Sequence, residues 1–319
     1  MDLLAHTGRR IDIGKVRFGP GGEWSPDDRF FATNVGRDPQ IVGIFDVVTG
    51  DWRWLEVSTD LPVLMSFFPK WSPDSQYLLF DAIMDEPGAD FQHVCLYRLA
   101  TGECVPIAVG HVRGVENPFW GDCLVFWRYA SGGRDGTRSR PRRRFFCRGI
   151  EGLSERPTYQ TELLPHQFVI HMSVSPRGDA AAALCLPESA EWTDAGTFEG
   201  CTMHIITNPN APESRTIPSV KFDGGQYVRW SERGDRIVAC LAIDDMDLRP
   251  PEIAIVDTTT GETRALLDRQ GQVIRGQSPT WIDGDRRIAY TLKGAPENWE
   301  LWCYVLASSE THKLYPFQQ

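Results

Sequence analysis

The sequence predicts an all-β fold, a six-bladed β-propeller with four antiparallel strands per blade. Three observations predict it: a Trp-anchored turn motif that recurs along the chain, a spacing of 47 to 56 residues between successive anchors, and short apolar runs separated by turn residues inside each copy. A unit of that length with four short strands cannot bury both of its faces alone, so neighbouring copies must pack on one another.

The copies run in order. WSPDDRFFAT opens the first at Trp24 and WSPDSQYLLF the second at Trp71. The third, FWGDCLVFW, is degenerate and keeps Trp120 in the anchor position. The fourth, VSPRGDAAAALCL, carries Val174 in place of the Trp; WSERGDRIVACLAI at Trp230 and WIDGDRRIAYTL at Trp281 complete the series. In each copy a short apolar strand ends at the anchor and a turn follows, where Pro presets φ and Ser and Asp bond back to nearby backbone. The second strands are then Phe30–Thr33, Tyr77–Phe80, Leu124–Trp127, Ala181–Leu186, Ile237–Ala242 and Ile288–Leu292. Third strands often close in a Thr-Gly turn, as in IVGIFDVVTG, HVCLYRLATG and EIAIVDTTTG, and a fourth strand follows that glycine, as in WRWLEV, CVPIAV and TRALL. The aromatic and β-branched enrichment suits half-buried sheets. One propeller domain is therefore expected across 1–319, with blades near 10–58, 61–108, 111–163, 166–218, 221–268 and 271–317. Closure of the ring is expected from packing between the first and last blades.

These repeats resemble the TolB-like, WD40-like (PD40) six-bladed propeller family, over about Arg10 to Phe317 and most clearly at Trp24, Trp71 and Trp230. That family includes periplasmic TolB, propeller domains of prolyl-oligopeptidase-type and Tricorn-type proteases, and some lone-propeller lyases with a His-rich metal centre. The resemblance implies a propeller scaffold. It does not carry over a peptidase reading, since the chain has no α/β-hydrolase segment and no GxSxG elbow.

Composition narrows the function classes. A net charge of -10 argues against general affinity for nucleic-acid backbone. Met1–Lys15 holds no apolar run of signal-peptide type, and no stretch approaches the roughly 20 apolar residues of a membrane helix. A cytoplasmic location and no membrane contact are expected. The eight cysteines form no CxxC pair and several lie in apolar strand-like runs, which reads as reduced, buried thiol. Ser25, Ser72 and Ser231 belong to repeat turns, and there is no Walker A loop or Rossmann fingerprint.

Strand parity directs attention to one face. The Ser-Pro-Asp and Thr-Gly turns fall on the same edge of an antiparallel blade, so the second-to-third-strand loops and the connections between blades share the other, irregular edge, where function usually sits. Its loops carry Arg142 and Arg143, Trp192, Asp244 and Asp245, and Trp299. Arginine forks suit anions, the aspartates offer oxygen ligands for calcium, and the indoles could stack on a flat ligand. The plainer reading of each is a solvated or self-packing loop, with basic and acidic loops paired. The starts of the inner strands form the mouth of a central channel and direct His111, Arg113, Glu116, His166, His171, Asp223, Arg275 and Gln277 to one region. No cofactor is expected; a divalent metal on the three histidines is the alternative. The expected function is binding of a protein partner or small polar ligand on this face. The alternative is a lone-propeller enzyme (lyase, cyclase or hydrolase) using His, Glu and Arg at the mouth, with or without metal.

Overall fold

The structure is a computed structural model that describes residues 2–4, 10–12, 22–35, 41–85, 92–112, 115–129, 143–149, 161–165, 168–186, 200–209, 211–218, 221–223, 228–242, 250–293 and 299–316. Within those residues every regular element is a β-strand. The chain forms two compact units, Met1–Thr161 and Glu162–Gln319, each described by itself.

The first unit opens with a two-stranded ribbon, β1 (Asp2–Leu4) and β2 (Arg10–Asp12), paired antiparallel. Its first sheet is the meander β3 (Glu23–Trp24), β4 (Phe30–Val35), β5 (Ile41–Asp46) and β6 (Trp52–Trp54). The second is β7 (Val63–Trp71), β8 (Tyr77–Met84), β9 (Gln92–Arg98) and β10 (Cys104–Val109). After β11 (Val115–Glu116), the strands β12 (Phe119–Trp120), β13 (Cys123–Tyr129) and β14 (Arg143–Gly149) repeat the pattern. The strand β15 (Thr161–Leu163) stands at the division between the units.

The second unit repeats the plan three times. Its meanders are β16 (Phe168–Val174), β17 (Ala180–Leu186), β18 (Thr202–Thr207) and β19 (Glu213–Thr216); then β20 (Arg229–Trp230), β21 (Arg236–Leu241), β22 (Glu252–Asp257) and β23 (Thr263–Ala265); then β24 (Gln277–Ile282), β25 (Arg287–Lys293), β26 (Trp299–Val305) and β27 (Glu310–Pro316). The predicted second strands lie inside β4, β8, β13, β17, β21 and β25, except that β21 stops one residue short of Ala242.

The core lies between successive sheets within each unit. Phe30 and Ile44 of the first sheet pack with Trp71, Phe80 and Tyr97 of the second. Leu184 and Ile205 likewise join Trp230 and Ile237, and Val238 and Ile255 join Ile288 and Tyr304. Second and third strands are therefore buried on both faces: Leu78, Leu79 and Phe80 are all fully buried in sequence. Each such side chain contributes about 1.5–3 kcal/mol on leaving water.

The Ser-Asp turns are built around a buried serine. Ser72 Oγ accepts the Tyr77 N–H at 2.8 Å and donates to Asp74 Oδ1 at 2.6 Å. Ser25 does the same with Phe30 and Asp27. In the copies reading SPRGD and SERGD the aspartate stands two residues later, and Ser175 and Ser231 donate to Asp179 and Asp235 instead. A left-handed residue closes each of these turns, at Asp28, Ser75, Gly178 and Gly234. The Thr-Gly turns use Asp46 and Asp257, each accepting two backbone N–H groups through Oδ1, with Gly50 and Gly261 at positive φ.

The anchor tryptophans tie each sheet to the one before it. Trp71 Nε1 donates to the carbonyl of Glu23 at 3.2 Å, Trp230 to Ser173 at 2.9 Å, and Trp281 to Arg229 at 3.0 Å. The acceptor is in every case the residue preceding the previous anchor. Trp120 departs from this rule: it is buried, and its indole N–H meets no acceptor among the described residues.

Candidate functional site

The registers give each sheet two unlike edges. In the second sheet Tyr77 pairs with Arg98 next to the tight turns, and Ile83 pairs with Gln92 beside the connection 86–91. The turn edge satisfies its own backbone through the Ser, Asp and Trp bonds above. The opposite edge is flanked by the connections 36–40, 86–91, 130–142, 187–199, 243–249 and 294–298, which lie outside the described residues. Arg142, Trp192, Asp244 and Asp245 fall within them. Arg143 and Trp299 open β14 and β26, opposite Tyr129 and Lys293, with side chains outside the description.

In the first unit the sequence-predicted mouth residues are His111 and Glu116; Arg113 lies outside the described residues. His111 forms an isolated antiparallel bridge with Trp127, and its ring stacks on that indole at 4.1 Å between centroids. Its Nδ1 is 3.8 Å from Oδ2 of Asp81. The other Asp81 oxygen accepts the Val112 N–H at 2.7 Å. Asp81 is fully buried while His111 keeps 12% of its side-chain surface. A buried carboxylate thus orients the connection that leads into the third sheet and stands behind a partly exposed imidazole. That is the arrangement that fixes an imidazole for proton transfer or ligand contact. At 3.8 Å the pair is an ion-pair contact for the protonated ring, longer than a hydrogen bond.

Glu116 belongs to a second group. Lys70 Nζ lies 3.2 Å from Glu23 Oε2 and 3.9 Å from Glu116 Oε2. Burial raises the Glu23 carboxyl above its ordinary range, and Lys70 offsets part of that shift. Beside Lys70 the strand β7 bulges between Phe67 and Lys70, and Phe68 stands at φ 57°. A bulky residue in the left-handed region stores about 1–3 kcal/mol of strain and is a feature of ligand sites and switches.

In the second unit the predicted residues are His171, Asp223, Arg275 and Gln277, and His166 lies outside the described residues. His171 is buried in β16 at a bulge, opposite Leu184. Asp223 is also buried; its N–H donates to the Cys240 carbonyl beside the Cys201–Phe222 bridge. Arg275 Nη2 donates to Glu252 Oε1 at 2.6 Å and the two residues bridge through backbone, so its guanidinium fastens the link into the last sheet. Gln277 opens β24, and its carbonyl accepts the Thr291 hydroxyl at 3.1 Å.

Among the described residues no group of three or more His, Cys, Asp or Glu side chains gathers as a metal site. All eight cysteines are free and buried. Burial pushes the Cys104, Cys185 and Cys201 thiols up to about 12, which disfavours thiolate chemistry. No helix among the described residues is long and apolar enough to cross a membrane.

Sequence reasoning missed Asp81, Lys70 and Glu23. The signal for Asp81 is a lone carboxylate inside the apolar strand YLLFDAIM. Pro69 within VLMSFFPKW is the signal for the bulge, since Pro inside a strand marks an edge or a bulge.

No protein-family model matches the chain, and no curated protein matches it by sequence. Solved structures do resemble it. An oligogalacturonate lyase in complex with manganese aligns with a TM-score of 0.62 at 16% identity, over 96% of this chain and 82% of that one. The β-propeller domain of the Trilobed protease from Pyrococcus furiosus aligns with a TM-score of 0.60 at 13% identity, over 94% of this chain and 84% of that one. TolB from Acinetobacter baumannii is also similar, at 13% identity and a TM-score of 0.47; the alignment covers 98% of this chain but spans only 66% of that TolB. At such identities the likeness speaks for fold alone. With its Ser-Pro-Asp turns and repeated four-stranded sheets, the chain has a β-propeller fold.

Proposed function

We propose that this chain is a binding propeller of six blades in a single domain, recognising a protein partner or small polar ligand on the edge opposite its tight turns. The observation that carries this reading is the contrast between the two edges. One is closed by self-satisfying turns; the other bears connections that differ in length and sequence from sheet to sheet, and the partly exposed imidazole of His111 backed by Asp81. The free, buried thiols and the net charge of -10 support a cytoplasmic setting without nucleic acid.

The test is a thermal-shift and calorimetric screen of charged small molecules and of acidic and basic peptides. It compares wild type with a loop variant in which Arg142, Arg143, Asp244 and Asp245 are alanine. A compound that stabilises wild type and not the variant is the expected result. Equal stabilisation of both, or none across the screen, overturns it.

The Asp81–His111 pair also favours a second reading, an enzyme (lyase, cyclase or hydrolase) acting beside His111. Turnover abolished by His111→Ala, or stoichiometric metal by elemental analysis, would displace the pure binding reading.

A further inference from the structure

Two of the eight buried cysteines touch through their thiols. In the register of the third sheet Cys123 of β13 pairs with Gly149 of β14, and Val125 pairs with Cys147. Directly opposed residues share a face of a sheet, so Cys123 and Cys147 lie diagonally on one face. The Cys147 thiol donates a hydrogen bond to the Cys123 sulfur. Burial and the neighbouring Asp122 carboxylate raise the Cys123 thiol, and that hydrogen bond offsets part of the shift. A Cβ at Gly149 would meet, among the described residues, only the Asp122 carbonyl oxygen at 3.9 Å, so the strand ends have room to draw together.

The other neighbouring cysteines are placed differently. Cys95 and Cys104 have the same diagonal relation on β9 and β10, but Pro106 stands opposite Cys95 and Tyr97 opposite Cys104. Both are fully buried, and burial pushes the Cys104 thiol up to about 12. Cys201 precedes Thr202, the partner of Cys185, so strand alternation turns those two side chains to opposite faces. Cys123 is the most accessible of the eight, at 6%, and follows the exposed turn residues Gly121 and Asp122. That turn also lacks a clamp found elsewhere. Four copies hold it with a buried serine, at Ser25, Ser72, Ser175 and Ser231, whereas the third reads Gly121-Asp122-Cys123.

We infer that Cys123 and Cys147 form a reversible redox pair: a peroxide converts them to an intrachain disulfide that fastens β14 to β13 at the turn edge. The Cys123 sulfur attacks one peroxide oxygen, the O–O bond breaks, and the thiol proton leaves with the other oxygen as water. The Cys147 sulfur then displaces the hydroxyl of the sulfenic acid, its proton leaves in a second water, and the S–S bond is formed. Two thiols are oxidised and one peroxide is reduced; an external dithiol reverses the step by exchange. The pair does not depend on the loop-edge reading above, and its failure would leave that reading standing.

The experiment treats the full chain, reduced and freed of reductant, with hydrogen peroxide. Excess peroxide is removed with catalase, the chain is unfolded in an alkylating agent, and its cysteines are mapped by peptide mass spectrometry. The expected product has lost two hydrogens and holds Cys123 linked to Cys147, a link that dithiothreitol separates. That link is expected to exceed any Cys95–Cys104 link by at least about tenfold. Oxidation is also expected to raise the unfolding temperature of wild type and not that of Cys147→Ser. Alkylated Cys123 and Cys147 after peroxide, Cys123 driven to sulfinic acid without a link, or an equal link at Cys95–Cys104 overturns the pair. A link without a higher unfolding temperature overturns the fastening of β14. The wild-type map decides the link whether or not the variant folds.

Discussion

The indole N–H of Trp230 donates to the backbone carbonyl of Ser173 at 2.9 Å, 57 residues earlier in the chain. Ser173 is buried, and so is the Trp. The bond joins the inner strand of one sheet to the anchor of the next, and the same bond recurs from Trp281 to Arg229. A buried carbonyl that loses its donor costs about 1–3 kcal/mol. The anchor tryptophan is therefore more than a space-filling ring. At Trp71, Trp230 and Trp281 it also carries a hydrogen bond between sheets.

Replacing single tryptophans by benzothienylalanine, which keeps the shape and removes the N–H, isolates that bond. At Trp230 the replacement is expected to lower unfolding free energy by about 1–3 kcal/mol in urea titrations. At Trp120, whose N–H has no acceptor among the described residues, the same replacement is expected to change stability by less than about 0.5 kcal/mol. Equal losses at the two positions would remove the joint as a general device.

The buried turn serine makes a second expectation. Ser72 Oγ accepts from Tyr77 and donates to Asp74, so Ser72→Ala strands a backbone donor and leaves the Asp74 carboxylate with the Gln76 N–H as its remaining turn donor. The expected cost is about 1–3 kcal/mol. In a double-mutant cycle Ser72→Ala and Asp74→Ala should couple by at least about 0.5 kcal/mol. Additive losses would show that the Ser–Asp bond contributes nothing of its own.

The repeat was legible because its turns need particular residues: Ser72 and Asp74, or Ser231 and Asp235, are turn chemistry that a sequence displays directly. Strand parity followed from the turns, so the two unlike edges were also readable. The candidate site was less legible, for physical reasons. Asp81 sits in a strand whose neighbouring residues are apolar and buried, and its bond to the Val112 N–H, which lies 31 residues on, is invisible to sequence spacing. His171 was expected at a channel mouth, yet β16 bulges at that residue and buries it. Lys70 and Glu116 meet across 46 residues of chain, a separation over which spacing carries no information. Arg113, His166 and the loop residues from Arg142 to Asp245 have no described geometry beyond the strand position of Arg143.

The approach to His111 depends on a glycine. Gly110 stands at φ 152°, and a Cβ there would lie 2.5 Å from the Trp127 carbonyl oxygen. That oxygen accepts the His111 N–H at 2.7 Å, so the clash falls on the bond that places the imidazole. Gly110→Ala is expected to destabilise by about 1–3 kcal/mol and to displace the His111 ring from Trp127. Chemical denaturation gives the first readout and the His111 ring-proton shifts, moved upfield by the stacked indole, give the second. Unchanged ring shifts would separate Gly110 from the site.

His204 gives the chain a pH dependence of definite sign. It is buried on β18 between two threonine hydroxyls, Thr202 Oγ1 at 3.4 Å from Nε2 and Thr216 Oγ1 at 3.4 Å from Nδ1. Burial holds its pKa below the ordinary 6.5. The folded state therefore prefers the neutral ring more than the unfolded chain does. Its contribution is fully present above the unfolded value and is lost as pH falls through 6.5 towards the lower folded value. Unfolding free energy should consequently decline between neutral pH and about pH 5, and His204→Gln, which keeps a polar side chain without titrating there, should remove part of that slope. Denaturant titrations of both proteins across that range decide it: identical slopes would mean that the ring takes up its proton as readily in the fold as in the unfolded chain, against its burial between Thr202 and Thr216.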